Sequence, residues 1–261
     1  MNFLDINTIE KIFDTYYTPS KLISYKQCPF KFYLKYVLKF PSVEDKAWTS
    51  IGKNIHKAIE EYYRIWIKEY IRDPSIEFRS ILTKYGITPE QDETIERIID
   101  NFIKFEEMRL NQGRWSYNPI FVEQLLIHNP FIGIIDVAFR DIETNEIIII
   151  DWKTGFITKT GELKEEHVIQ GLIYKYLVEN TIGKVSKVYF MFLRFGKLIE
   201  LPKKYDYTYL TKVINEIEET KKKRNWIKKK GVHCNFCEMK YICELVEKKL
   251  YRPELFIFKI I

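Results

Sequence analysis

The chain has 261 residues, of which 46% are hydrophobic and 30% charged, and its formal net charge is +6. This length fits one large α/β domain or a core domain with a helical insertion, and the composition excludes wholesale disorder. The longest apolar runs, such as Ile147 to Ile150, are far too short to cross a bilayer, and the acid-punctuated N-terminus does not resemble a signal peptide. We therefore expect a cytoplasmic protein without a membrane partner.

The first predicted helix lies in residues 18–48. Thr18, Pro19 and Ser20 are typical of a helix start, and aromatic and aliphatic residues follow at helical intervals. We expect this helix to carry Cys28.

A longer helical region is predicted for residues 49–115. Its first helix is expected to begin near Thr49 or Ser50, because apolar residues recur every three or four positions and form one face, with His56 beside it. The residues of this face are Ile51, Ile55, Ile59, Tyr62 and Trp66. From about Asp73 to Gly113 the pattern is charged and mostly helical and carries no recognisable chemistry. An insertion or a lid is expected there.

Three consecutive strands are predicted in residues 116–205. The segments FVEQLLIH, FIGIIDVAF and EIIIIDWK are short β-rich runs, separated by turn formers at Asn129–Pro130 and at residues 143–145. The segment EEHVIQGLIYKYLVEN then predicts a helix, and SKVYFMFLR with KLIELP predicts a hairpin that turns at Phe195–Gly196. A final helix in residues 206–250 leads into the last three cysteines.

The most specific chemistry lies in these strands. Asp151 and Lys153 end an aliphatic strand, and because strand side chains alternate, both point to the same side. Asp136 on the neighbouring strand can join Asp151 in holding a hard divalent cation, while the lysine sits against the attacking water or the phosphate. Phosphodiester hydrolysis needs these parts. The alternative is a buried Asp151–Lys153 ion pair, whose burial is costly unless a partner or a metal compensates.

The same residues resemble the PD-(D/E)XK nuclease superfamily, specifically its RecB-like branch, in which strand-borne GxxD and (D/E)xK elements precede a helix with QxxxY. The matching stretches are Gly133 to Asp136, Asp151 to Lys153, and Gln170 to Tyr174. The resemblance implies a restriction-endonuclease-like α/β fold, in which helices flank a central mixed β-sheet. It also implies that Asp136, Asp151 and the backbone carbonyl of Trp152 bind Mg²⁺ or Mn²⁺. Lys153 would position the nucleophilic water or stabilise transition-state charge.

Further site residues follow from this resemblance. The family places a metal-binding histidine on an early helix, one turn after a small residue, as His56 follows Gly52. Glu123 matches a family glutamate on the strand before GxxD, with an orienting or a ligating role. Gln170 and Tyr174 are one helical turn apart and are expected to project toward the substrate strand, the alternative being that they pack the helix against the sheet.

The cysteines give a second signal. The chain has four, one near the start and three in a C-x2-C-x5-C pattern, namely Cys28, Cys234, Cys237 and Cys243. Four thiolates suit one metal centre, and two disulfides are not expected in a cytosolic protein. Zinc and iron–sulfur both remain open on this spacing. The arrangement is similar to AddB-type nuclease domains and CRISPR-associated Cas-four exonucleases, which implies a structural [4Fe-4S] cluster joining the N- and C-terminal segments.

A basic run favours a nucleic-acid partner. Its residues are Lys221, Lys222, Lys223, Arg224, Lys228, Lys229 and Lys230. The alternative is a solvated helix end that the upstream glutamates partly neutralise.

Together these features predict a single nuclease domain over residues 1–261 that cleaves DNA. The resemblance implies single-strand exonuclease activity and trimming of DNA ends for CRISPR spacer acquisition beside an integrase complex. The sequence has no P-loop, so unwinding would require a partner such as a helicase. The alternatives are a non-catalytic nucleic-acid-binding scaffold with a structural zinc or iron–sulfur centre, and a repair or viral recombination nuclease.

Overall fold

A five-stranded mixed β-sheet lies at the centre of the computed structural model, which describes residues 14–42, 46–68, 74–87 and 92–248. Neighbouring strands follow chain order, and all neighbours are antiparallel except β3 and β4. The strands are β1 (Phe121–His128), β2 (Phe131–Arg140), β3 (Ile147–Lys153), β4 (Val185–Phe192) and β5 (Lys197–Glu200). Parallel neighbours need a crossover connection, and a helix between β3 and β4 supplies it. The predicted strands and the predicted hairpin are therefore confirmed.

The helices lie before the sheet, in the crossover and after the last strand. They are α1 (Pro19–Gln27), α2 (Pro29–Phe32), α3 (Lys46–Lys68), α4 (Pro74–Lys84), α5 (Glu93–Gln112), α6 (Glu165–Thr181), α7 (Tyr207–Lys223) and α8 (Lys240–Glu247). A π-helical turn, Tyr33–Val37, continues α2, and 3-10 turns occupy Leu193–Phe195 and Val232–Phe236. Among the described residues, no helix has the length and apolarity needed to span a bilayer.

Helices cover both faces of the sheet and give the molecule three layers. On one face, α1, α6 and α7 bury residues such as Leu22 and Ile173 against Ile149 of β3. On the other face, α3, α4 and α5 pack residues such as Phe102 against Trp152. Strand β3 is thus buried on both faces, which explains its continuous aliphatic run. The predicted fold class, a mixed sheet flanked by helices, is confirmed.

Helices α4 and α5, which lie in the stretch expected as an insertion or a lid, belong to the second layer. Ile99 and Phe102 of α5 are fully buried in the core cluster on that face of the sheet. Some of the charged residues that suggested an insertion, such as Arg97 and Lys104, lie on the exposed side of α5. Asp73, where the region was expected to begin, lies outside the described residues, as do residues 1–13 and 249–261 of the predicted domain.

The first predicted helix is interrupted at Cys28, which was expected inside it. The Thr18 side chain caps α1, and Cys28 follows with extended backbone angles, φ −162° and ψ 109°. Pro29 then begins α2. Proline disfavours the helical conformation in the residue before it, so Cys28 lies between two helices. Helix α3 also begins earlier than predicted, at Lys46.

Candidate active site

Three potential metal ligands come together beside β2. One ligand atom from each of His56, Glu123 and Asp136 lies within 4.8 Å of the other two. His56 Nδ1 is 3.5 Å from Asp136 Oδ2. Helix α3, strand β1 and strand β2 each supply one of these side chains. Imidazole and carboxylate donors of this kind fit a divalent cation such as Mn²⁺.

Glu123, for which the sequence left an orienting or a ligating role open, belongs to this group. Its φ of 45° lies in the left-handed region, which a glutamate rarely adopts, and the β1–β2 ladder skips its position. Burial, and next the charge of Asp136, raise the pKa of Glu123 to about 7. A bound cation would relieve this repulsion and favour the ionised carboxylate.

Asp151 lies across from Asp136 on the adjacent strand, since the β2–β3 register pairs Val137 with Ile150. Asp136 Oδ2 accepts the backbone N–H of Trp152 at 2.9 Å. Asp151 is only 1% exposed, and burial raises its pKa to about 6 even though Lys153 opposes the shift. Lys153 Nζ lies 2.6 Å from Asp151 Oδ2. The ion pair and the three-ligand group therefore adjoin each other through Asp136.

Gln170 joins the two members of this ion pair. Its Oε1 accepts a hydrogen bond from Lys153 Nζ at 2.7 Å, and its Nε2 donates to Asp151 Oδ1 at 2.8 Å. The Tyr174 hydroxyl accepts a further bond from Nε2 at 2.8 Å, and Tyr174 is buried in the core. These bonds favour a positioning role for Gln170, and the expected projection of Gln170 and Tyr174 toward a substrate strand stays a prediction.

Two glycines allow helices to approach the site closely. A Cβ at Gly133 would lie 3.1 Å from Leu177 and 3.3 Å from Tyr174, so glycine lets α6 pack against β2. A Cβ at Gly52 would lie 3.0 Å from Thr154 Oγ1, which follows Lys153 in the chain. These contacts give a physical reason for the glycine of GxxD and for the small residue one turn before His56.

Trp152 anchors the end of β3. Its indole is stacked on Tyr63, with ring centroids 6.2 Å apart, and meets Phe102 edge-on at 5.5 Å. The buried ring holds the backbone between Asp151 and Lys153 in place. A metal contact from its backbone carbonyl stays a prediction.

The ligand group opens into a cavity of about 990 Å³. Its wall carries cations as well as the acidic residues, with Lys53 and Lys57 from α3 and Arg194 from the 3-10 turn after β4. Cations around an acidic metal site suit a polyanionic ligand. Sequence reasoning missed several residues of this wall, among them Glu60, Phe156 and Arg194. Spacing was an available signal for two of them, since Glu60 follows His56 by one turn and Phe156 closely follows Lys153.

All four cysteines line a second cavity, of about 320 Å³. Cys28 is buried at the break between α1 and α2, and the other three are partly exposed. Cys28 Sγ accepts the backbone N–H of Lys229 at 3.4 Å, and the Lys228 ammonium hydrogen-bonds Cys243. Donors and cations directed at sulfur stabilise thiolate ligands. The four cysteines therefore share one cavity, and a metal centre there stays a prediction.

The basic run borders this second cavity and is largely paired. Its helical part bonds Glu218 and Glu219, and its extended part shares Glu247. The paired lysines are Lys221, Lys222, Lys223, Lys228 and Lys230. These glutamates reduce the local positive field, and contact of this run with nucleic acid stays a prediction.

Comparison with known proteins places these features in a family. A family model described as the PD-(D/E)XK nuclease superfamily matches residues 16–244. Among solved structures, one titled "Crystal structure of SSO0001" is 13% identical, with a TM-score of 0.36, and the match covers 74% of this chain and 95% of that chain. A search of curated proteins found no significant match.

Proposed function

Because the chain belongs to the PD-(D/E)XK nuclease superfamily, we propose that it is a RecB-like deoxyribonuclease that degrades single-stranded DNA from its ends. Membership in the superfamily supports the coarser statement that the chain is a metal-dependent nuclease. The observation that carries the proposal is the meeting of two groups at Asp136, namely the His56–Glu123–Asp136 ligand set and the Asp151–Lys153 pair.

The chain's own residues supply most of the proposed chemistry. Mg²⁺ or Mn²⁺ held by Asp136 with His56, Glu123 or Asp151 would activate a water and neutralise charge on the phosphate. Lys153 is held in place by Gln170 and Asp151, so its ammonium can donate to the attacking water or to a phosphate oxygen. The partner carboxylate of Asp151 is buried, and the attraction between charges is stronger there than in bulk water.

Nuclease assays on purified protein test this proposal. Labelled single-stranded DNA is expected to be cut with Mn²⁺ or Mg²⁺ and to survive in EDTA. Asp151→Asn and Lys153→Ala are expected to lower the cleavage rate at least about a hundredfold while DNA binding persists. Asp206→Asn is the matched control, because Asp206 caps α7 and asparagine caps a helix equally well. Undiminished cleavage by Asp151→Asn would refute the assignment.

The exonuclease part of the proposal requires its own substrates. A circular single strand has no end and is expected to resist an exonuclease that degrades an equally long linear strand. On a duplex with a single-stranded overhang, trimming is expected to stop at the junction, because the sequence has no P-loop to drive unwinding. Efficient cutting of the circle would identify an endonuclease instead.

We also propose that the four cysteines hold a [4Fe-4S] cluster. The support is their convergence on one cavity and the N–H and ammonium donors that face the sulfurs. Iron and zinc analysis of anaerobically purified protein, together with its visible absorption, tests the cluster. A colourless protein loaded with zinc would replace it with a zinc site. The Cas-four-like role, which is end trimming for CRISPR spacer acquisition beside an integrase complex in the cytoplasm, rests on this cysteine arrangement alone.

A further inference from the structure

Phe156 is 65% exposed on the wall of the cavity that contains His56, Glu123 and Asp136. It lies in the loop between β3 and α6, close after Lys153. Two other apolar residues of this loop, Ile157 and Leu163, pack against the core on one face of the sheet. The loop is therefore anchored, and its largest apolar side chain is still directed to the cavity. Exposure of a phenylalanine at this place forgoes the free energy of burial.

Arg194 holds the Phe156 ring from one side. Its guanidinium carbon lies 4.4 Å from the ring centroid, and its Nε donates to the Thr154 backbone carbonyl at 3.3 Å. Arg194 also lines the same cavity. A planar cation stacked on a phenyl ring fixes the orientation of that ring and adds positive charge beside it. The exposed part of the ring then faces the cavity as a flat apolar surface.

Phe156 also lines a smaller recess of about 300 Å³, which is separate from the cysteine cavity and is lined by Lys153 as well. Lys153, Lys164 and Gln170 contribute to the wall of this recess. Phe156 thus stands between the cavity that holds the metal-ligand group and a recess with two lysines. A DNA strand with its scissile phosphate at Lys153 would have a cation-lined path on either side of an aromatic ring.

We infer that Phe156 is a stacking platform for one nucleobase of the substrate strand beside the scissile phosphate, with Arg194 bracing its ring. This inference rests on the proposed nuclease function, and it explains the proposed preference for single-stranded DNA by stacking on Phe156. Every base has a π-face, so stacking on an aromatic side chain tolerates any sequence. In a duplex both faces of a base are covered by its neighbours, and the base must leave the stack before it can use the platform.

Binding measured without cleavage tests the platform. The probe is an oligothymidylate carrying one 2-aminopurine, whose fluorescence falls on stacking, and it is titrated in EDTA. Phe156→Ala and Phe156→Leu are expected to weaken binding at least about fivefold and to lose the quenching, since leucine keeps apolar volume without a π-face. Phe156→Trp is expected to retain both. The control Ile142→Ala removes a side chain that is 59% exposed in the β2–β3 turn.

Cleavage kinetics then complete the test. Phe156→Leu is expected to raise KM for single strands at least about fivefold while kcat changes less than about threefold. A leucine variant that binds and quenches like the wild type would overturn the platform. An equal loss of affinity for single strands and duplexes would overturn its selective role. If the wild type quenches the probe and Phe156→Leu does not, while neither cuts DNA, the platform stands and the nuclease proposal fails.

Discussion

The Asp151 carboxylate has two partners, since Lys153 pairs with Oδ2 and Gln170 donates to Oδ1. A buried carboxylate without them would lose several kcal/mol of favourable interaction. The sequence could predict that Asp151 and Lys153 share a site, because residues two apart on a strand point the same way. The position of the Glu123 carboxylate beside His56 and Asp136 could not be predicted in this way, because its left-handed φ of 45° departs from regular strand geometry.

Gln170 provides a test that separates positioning from substrate contact. Gln170→Met keeps the length of the side chain but removes its bonds to Asp151 and Lys153. We expect kcat to fall about 10- to 100-fold and KM to change less than about threefold, because the lysine loses its alignment. Steady-state kinetics on single-stranded DNA measures this, with the exposed Gln112→Met as control. A rise in KM with unchanged kcat would instead assign Gln170 to substrate binding.

Acid is expected to weaken metal binding at the site. The pKa values of Asp151 and Glu123 are raised, chiefly by burial, to about 6 and about 7. Protons therefore compete with the cation as the pH falls through this range, and Mn²⁺ affinity should rise about tenfold or more between about pH 6 and pH 8. Isothermal titration of the metal at both pH values measures the change. Glu123→Gln should bind more weakly and show a smaller pH dependence, whereas an unaltered dependence would exclude Glu123 as a ligand.

Among the elements, α5 shows where pattern reading succeeds and where it stops. Its helical period and its end at Gly113 were readable, since Gly113 has the left-handed φ of 61° typical of a helix C-terminus. Its place in the second layer was not readable, because two of the charged residues that suggested an exposed insertion, Glu106 and Arg109, are buried as partners. The two residues are three apart on one helix, so their pairing is local, but their burial depends on packing partners that helical periodicity does not encode.

The Glu106–Arg109 pair is expected to stabilise the join between α5 and the sheet. Both side chains are 0% exposed, with Arg109 Nη2 2.7 Å from Glu106 Oε2. Tyr63 donates to Glu106 at 2.6 Å, and Arg109 donates to the Ser116 carbonyl at 2.9 Å. Glu106→Gln should lower the free energy of unfolding by about 3–5 kcal/mol, because it leaves the Arg109 charge buried without its counterion.

Urea denaturation of Glu106→Gln measures this loss, and a double-mutant cycle tests the pairing itself. Glu106→Leu combined with Arg109→Met is expected to cost less than the sum of the single changes, since the paired removal leaves no uncompensated charge. Lys222→Met, which breaks an exposed pair with Glu219, is the control and should cost less than about 1 kcal/mol. Strict additivity in the cycle would mean that the two side chains do not act as a pair.

At the scale of the whole molecule, the two ends of the described chain meet at the cysteines. Trp226 stacks on Phe32 and Tyr33, with ring centroids 5.8 and 5.2 Å apart, and the Tyr25 hydroxyl donates to the Glu216 carbonyl at 2.9 Å. The cysteine pattern predicted that these ends are joined. It could not predict that the N-terminal end is much more deeply buried than the C-terminal end, because burial depends on packing partners that are distant in sequence.

This inequality leads to a prediction about losing the metal centre that we propose at the four cysteines. Leu22 of α1 and Leu34 are fully buried in the cores, whereas no residue of α8 is buried. Cys28→Ser should therefore leave α1 protected and expose Val232–Glu247 to exchange, which hydrogen exchange would record as at least about a tenfold loss of protection. Removing the metal from the wild type with a chelator should reproduce the pattern. Equal loosening of both ends would mean that the centre, and not apolar packing, holds α1 against α7.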